Sequence, residues 1–273
     1  MGKKENHKQD LIKFFDKFLE SGDEGRIIEY LLSNSNLPGR RGNLELGGAF
    51  AEVVEAYFAK DPERLWSLCV KLVNISADEA PVNDPKEFLP FCGTWAIGAI
   101  GSSSSAFFQN AVSLLQRLAN DPRWRTRESV ANGIQKLIEK QKQKTFQELE
   151  GWIKNDSWLA MRAVAAGVAE PALLIDKQTS TQALELHKKI FAKIFASKER
   201  KSEEFKTLKK GLGYTLSVVV REIPEEGFEY LHQLTDSKDT DILWIIKENL
   251  KKKRLIKNFP KEVASATKLL NKR

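Results

Sequence analysis

The stretch NDPRWRTRESVANGIQKLIEK (120–140) is answered thirty-five residues later by NDSWLAMRAVAAGVAEPALL (155–174). Both open on Asn-Asp, both carry a Trp soon after the Asp, and both place an arginine six positions beyond it: Asp121 to Arg127 and Asp156 to Arg162. A third copy, DTDILWIIKENL (239–250), sets Lys247 six after Asp241 with Trp244 between them. The anchoring aspartates, Asp121, Asp156 and Asp241, lie 35 and then 85 residues apart, and the second interval fits two longer units with a degraded copy in the middle. A period of about 35–45 residues, each a pair of helices, points to stacked repeats, because one pair exposes an apolar face that only a neighbour can bury.

Outward from these copies nearly every segment reads as helix. Leu11, Phe14, Phe15, Phe18 and Leu19 recur at helical spacing, as do Ile27, Ile28, Leu31 and Leu32. Asn43 caps a helix that runs to about 59, and Asp61-Pro62 and Asp121-Pro122 each pair a capping carboxylate with a proline fit for a first turn. The spacing predicts further helices at 86–100, 104–119, 121–140, 145–154, from 156 to the Glu170-Pro171 break, and at 179–196, 202–222, 224–235, 239–251 and 260–271, with a longer loop at 76–86. FLPFCGTWAIGAIGS (88–102) is apolar almost all round and reads as a buried helix whose Gly93, Gly98 and Ala99 allow close helix contact.

An Asp followed six positions later by an apolar-basic pair, Met161-Arg162 or Ile246-Lys247, resembles the second helix of HEAT repeats; the first copy departs from the pattern with Thr126 before Arg127. The resemblance implies an all-α fold, a right-handed α-solenoid of HEAT-like (armadillo-type) helix pairs. It is expected as one domain over 1–273, with less regular units in 1–119, the clearest units in 120–255 and a capping helix at 258–273. It also implies a ladder in which the basic side chain of one unit reaches the Asp of its neighbour. On that reading Arg127, Arg162 and Lys247 are structural; the alternative puts them on a concave face holding phosphate. Trp124, Trp158 and Trp244 either plug the gaps between units or stack on bases.

Composition narrows the function classes. The net charge of +7 is uneven: residues 1–139 hold 17 Lys+Arg against 19 Asp+Glu, and residues 140–273 hold 27 against 18. That asymmetry favours a polyanion partner for the second half, or solvated lysine-rich helix faces. Lys188, Lys189, Lys193, Lys198, Arg200, Lys201, Lys206, Lys209 and Lys210 are candidates for one basic stripe, or for surface ion pairs with the interspersed Glu199, Glu203 and Glu204, and Lys251, Lys252 and Arg254 form a second cluster. LPGRRGN (37–43) offers Arg40 and Arg41 on a turn before a helix, as an anion site or a plain connection. Cys69 and Cys92 read as buried hydrophobes, and His7, His187 and His232 fit no metal-ligand spacing, so no metal and no cofactor are expected. No apolar stretch has membrane length and the N-terminus lacks a signal core, which reads as a soluble, cytoplasmic and monomeric protein.

The expected function is therefore non-catalytic: a binding module whose concave, partly basic surface docks a protein or a nucleic acid, DNA before RNA. The alternative is an enzyme, since size, charge and Trp content are also similar to the HEAT-like bacterial DNA glycosylases that remove alkylated purines. That resemblance requires a catalytic carboxylate beside aromatic residues. Here the Trp-adjacent carboxylates are Asp121 and Asp156, and Trp95 is followed by Ala96, Ile97 and Gly98.

Overall fold

A computed structural model describes residues 2–271, and among these the chain is all-α, with fourteen α-helices, two short 3-10 helices and no strand. It divides into two compact units, Met1–Lys142 and Gln143–Arg273. The first holds α1 (Lys3–Ser21), α2 (Gly25–Ser33), α3 (Leu44–Tyr57), α4 (Pro62–Val73), α5 (Phe88–Ser103), α6 (Phe108–Leu118) and the first half of α7 (Trp124–Lys154). Gln141 interrupts α7 with φ −120° and ψ 36°, so the two helices expected at 121–140 and 145–154 run together across a kink. The second unit holds the rest of α7, then α8 (Trp158–Gly167), α9 (Lys177–Ala196), α10 (Glu203–Glu222), α11 (Pro224–Thr235), α12 (Thr240–Leu250), α13 (Lys253–Asn258) and α14 (Pro260–Asn271).

Each unit stacks by skipping one helix. In the first, α1 packs on α3 and α3 on α5, with α4 and α6 also laid against α5. In the second, α8 packs on α10 and α10 on α12, with α9 and α11 against α10, and α14 covers α11 and α12. Successive helices thus alternate between two layers, the arrangement of stacked helix pairs.

Helix starts follow from cap chemistry. Side chains of Asn43, Asp61, Asp176 and Ser202 each accept a hydrogen bond from the backbone N–H three residues on, satisfying a donor that the helix itself leaves orphaned. The starts at the three repeated aspartates all differ from expectation. Helix α7 begins at Trp124, and Asp121 Oδ1 instead accepts the Arg123 N–H in the turn before it. Ser157, not Asp156, caps α8, and Asp156 instead sits at φ +55° in the turn before it. Asp239, not Asp241, caps α12. Helix α13 has no counterpart in the sequence reading, because it buries a single side chain, Leu255, and so leaves no apolar stripe.

Helix α5 is buried from Phe88 to Ser102 except at Trp95. Its closest approach is at Gly98, where an added Cβ would lie 2.3 Å from the Cα of Gly133 on α7. Cys69 and Cys92 are buried free thiols, and burial pushes both their pKa values up. No helix among the described residues is long and apolar enough to cross a membrane.

His187 is a fully buried histidine between α9 and α10. Its Nδ1 lies 2.8 Å from the Ala183 carbonyl oxygen and its Nε2 lies 3.0 Å from Thr215 Oγ1. The neutral ring satisfies both, donating to the carbonyl and accepting from the hydroxyl. Burial lowers its pKa from 6.5 to about 4, against the backbone hydrogen bond that raises it. The unfolded chain therefore takes up this proton first as pH falls. The stability due to neutral His187 is complete above pH 6.5 and is lost between 6.5 and about 4. Unfolding free energy measured in urea should decline across that window by up to about 1.4 kcal/mol per pH unit from this group, and His187→Gln should flatten the decline.

Candidate functional site

Each of the three repeated aspartates has a basic partner, and these partners are Arg123, Lys193 and Lys209, not the expected Arg127, Arg162 or Lys247. Asp121 takes its own neighbour Arg123 in a two-point grip, Nε to Oδ1 at 2.9 Å and Nη2 to Oδ2 at 2.7 Å, and both side chains are buried. Arg127 turns back on the same unit, its Nη1 donating to the carbonyls of Asp121 (2.6 Å) and Pro122 (2.9 Å). Asp156 receives Lys193 from α9 at 2.5 Å. Asp241 meets a basic residue of the helix that α12 packs on: Lys209 of α10 reaches it at 2.7 Å. Arg200 joins this corner, pairing with Asp239 and lying 3.7 Å from Asp241. Burial pushes the Asp239 pKa up, but the Arg200 hydrogen bond and two backbone N–H groups outweigh it, and the carboxyl titrates below its ordinary range.

Arg162 is 6% exposed and packs along α10, its Cγ 3.3 Å from the point a Cβ on Gly211 would occupy. Trp158 meets Phe205 of α10 edge-on at 5.3 Å, and Trp244 lies over Gly213 and Lys209 of α10. Trp158 fills the seam between α8 and α10, whereas Trp244 contacts α10 along one side and stays 37% exposed on the other. Trp124 fills no seam: the residue is 42% exposed, with the Arg125 guanidinium 4.4 Å from the centre of its ring.

The candidate cations separate into two groups. Lys188, Lys189, Lys193, Lys209 and Lys251 each hold a carboxylate, respectively Glu185, Glu150, Asp156, Asp241 and Glu248, at 2.5–2.7 Å. Lys210 and Lys247 are exposed and make no ion pair among the described residues. Lys252 and Arg254 are half-buried around the start of α13, and Arg254 Nη1 is buried without a hydrogen-bond partner. Arg40 and Arg41 are exposed, likewise with no ion pair among the described residues. The two Trp-adjacent carboxylates that glycosylase chemistry would call on, Asp121 and Asp156, are already engaged by Arg123 and Lys193.

What the second unit builds is a groove of about 860 Å³ between α12, α13 and α14. Leu243, Trp244, Leu250, Ile256, Val263 and Leu270 line it, and Lys247 and Lys251 stand among them. Trp244 is 37% exposed and Ile256 45%. The α12 side of this groove was readable: Trp244, Lys247 and Lys251 share a face at i, i+3 and i+7, while Ile242, Ile245, Ile246 and Asn249 form the buried one. The other wall was not readable, because α13 buries only Leu255 and the return of α14 against α12 is set by packing between elements.

No family model matches the chain, and no curated protein matches it. Among solved structures it is similar to the crystal structure of an engineered protein, with 13% identity over 88% of this chain and 97% of that one and a TM-score of 0.33. It is also similar to a designed armadillo repeat protein, with 16% identity over 82% of this chain and 98% of that one and a TM-score of 0.30.

Proposed function

We propose that this chain is a non-catalytic, protein-binding helical repeat, and that the groove of α12, α13 and α14 takes an apolar segment of its partner. The observation that carries this reading is the exposed apolar floor, Trp244 with Ile256, in a groove large enough for several side chains. The lysine stripe of α9 and α10 supports a polyanion less well. Four of its candidate cations, Lys188, Lys189, Lys193 and Lys209, already carry carboxylates, so each would have to give up a partner before gripping phosphate. Lys247 brings an uncommitted charge to the groove and favours a segment with a carboxylate beside its apolar side chains.

A peptide with leucines at helical spacing on one face and glutamates on the other is the test ligand. Calorimetry should detect its binding, and both Trp244→Ala and Ile256→Glu should weaken it by about 2 kcal/mol, roughly 30-fold. Ile256 is exposed, so the glutamate variant should melt like the parent. Equal affinity of the parent and Ile256→Glu would refute the assignment.

A further inference from the structure

We infer that the first unit carries a second site, for unpaired nucleotides, made of Arg40, Arg41 and the exposed face of Trp124. The loop bearing the two arginines is pinned from several sides. Leu37 is buried and its N–H donates to Ser35 Oγ at 3.1 Å, and the N–H of Asn43 closes the loop on the Ser35 carbonyl at 2.9 Å. The Gly39 N–H donates to Asn83 Oδ1 at 2.9 Å, and its carbonyl accepts from Arg125 Nη2 at 2.7 Å. Gly39 has no substitute, since a Cβ there would lie 2.4 Å from the Asn36 carbonyl oxygen.

The same Arg125 guanidinium lies against the Trp124 ring. One side chain therefore ties the arginine loop to the indole and holds them as neighbours. Arg125 covers one side of the ring, which still keeps 42% of the residue's surface open. Arg40 and Arg41 retain their charge for a ligand, because Glu87, the carboxylate this network contains, is buried and committed to Arg125. Two guanidinium groups match phosphate by bidentate hydrogen bonding, and a solvated indole matches the face of a base. The combination fits a base with its phosphate better than a carboxylate-rich peptide, which gives the ring nothing to stack on. It fits a single strand better than a duplex, whose base faces are already covered.

The probe is a short fluorescein-labelled oligothymidylate, followed by anisotropy on the full chain. Arg40→Ser/Arg41→Ser should bind it more weakly and should lower the slope of log affinity against log salt by about 1.4, two phosphate contacts at roughly 0.7 each. Trp124→Leu should weaken binding roughly 10- to 100-fold, with a smaller change in salt slope. The arginine variant alters exposed side chains and should keep the parent's melting temperature; it tests the site even where Trp124→Leu disturbs folding. Thymidine monophosphate competing nearly as well as the oligomer would support the site and make a free nucleotide its source, whereas weak competition would support a strand. Absence of oligothymidylate binding, duplex bound as tightly as single strand, or an unchanged salt slope in the arginine variant would overturn the inference. Equal competition by polyglutamate would also overturn it and give the patch to an acidic protein. Ile256→Glu should leave this binding intact, so the failure of one site is distinguishable from failure of the other.

Discussion

Arg125→Met should lower the unfolding free energy in urea by about 3–5 kcal/mol, because it leaves a carboxylate buried without its cation. Arg125 Nη1 meets Glu87 Oε2 at 2.7 Å, and both side chains are almost fully shielded from water. The site has little reserve. Glu87 Oε2 also accepts the Asn83 N–H at 2.7 Å, but Glu87 Oε1 and Arg125 Nε have no hydrogen-bond partner. Once the guanidinium is gone, the Asn83 N–H is what remains for the charge, and desolvation dominates. Two comparisons locate the cause. Arg125→Met combined with Glu87→Leu removes both charges and should recover most of the loss, as buried pairs are worth less than the cost of breaking them. Lys189→Met breaks the solvent-exposed pair with Glu150 and should cost less than about 1 kcal/mol. A double variant as unstable as Arg125→Met alone would assign the effect to lost packing and to the lost Arg125 hydrogen bonds with Gly39 and Asn83, and not to the stranded charge.

Gly98→Ala should be destabilising by about 3 kcal/mol or more, for a reason of shape alone. The new methyl would lie 2.3 Å from the Cα and 2.5 Å from the carbonyl oxygen of Gly133. Those are backbone atoms of α7, so no rotamer change relieves the overlap, and α5 and α7 must move apart along a face that is otherwise close-packed. Gly133→Ala makes a gentler demand, since its closest neighbour is the end of the Leu115 side chain at 2.8 Å. Gly151→Ala should have the opposite sign. Nothing lies within 4 Å of that Cβ, and alanine is favoured over glycine in a helix by about 0.5–1 kcal/mol. Thermal unfolding of the three variants should therefore rank Gly98→Ala below Gly133→Ala, and Gly151→Ala above the parent. A Gly98→Ala protein that melts with the parent would mean that the two helices are not in backbone contact.

The contrast between these two predictions reflects what each feature asks of the chain. The glycine contact was anticipated in kind from FLPFCGTWAIGAIGS, whose lack of a polar face can only mean burial and whose small residues can only mean close approach. The Arg125–Glu87 pair was not. Within NDPRWRTRE three arginines follow one aspartate, and the interval of six picked out Arg127, which bonds carbonyls at its own helix start, while Arg125 makes the buried pair across to Glu87. Intervals within one helix do not reveal which of three neighbouring guanidinium groups points into the core.

By itself, then, the sequence determined the all-α class, the succession of helix pairs and most of the helix starts. Those features rest on interactions between residues three or four apart: apolar stripes, and caps such as Asn43 to Leu46 or Asp61 to Arg64. The tertiary structure alone decided which cations remain available and where an apolar surface stays open. Lys209 is neutralised by Asp241, 32 residues away, and Arg125 by Glu87, 38 residues away. The groove exists because α14 returns against α12, a placement set by packing between elements and not by any interval along the chain.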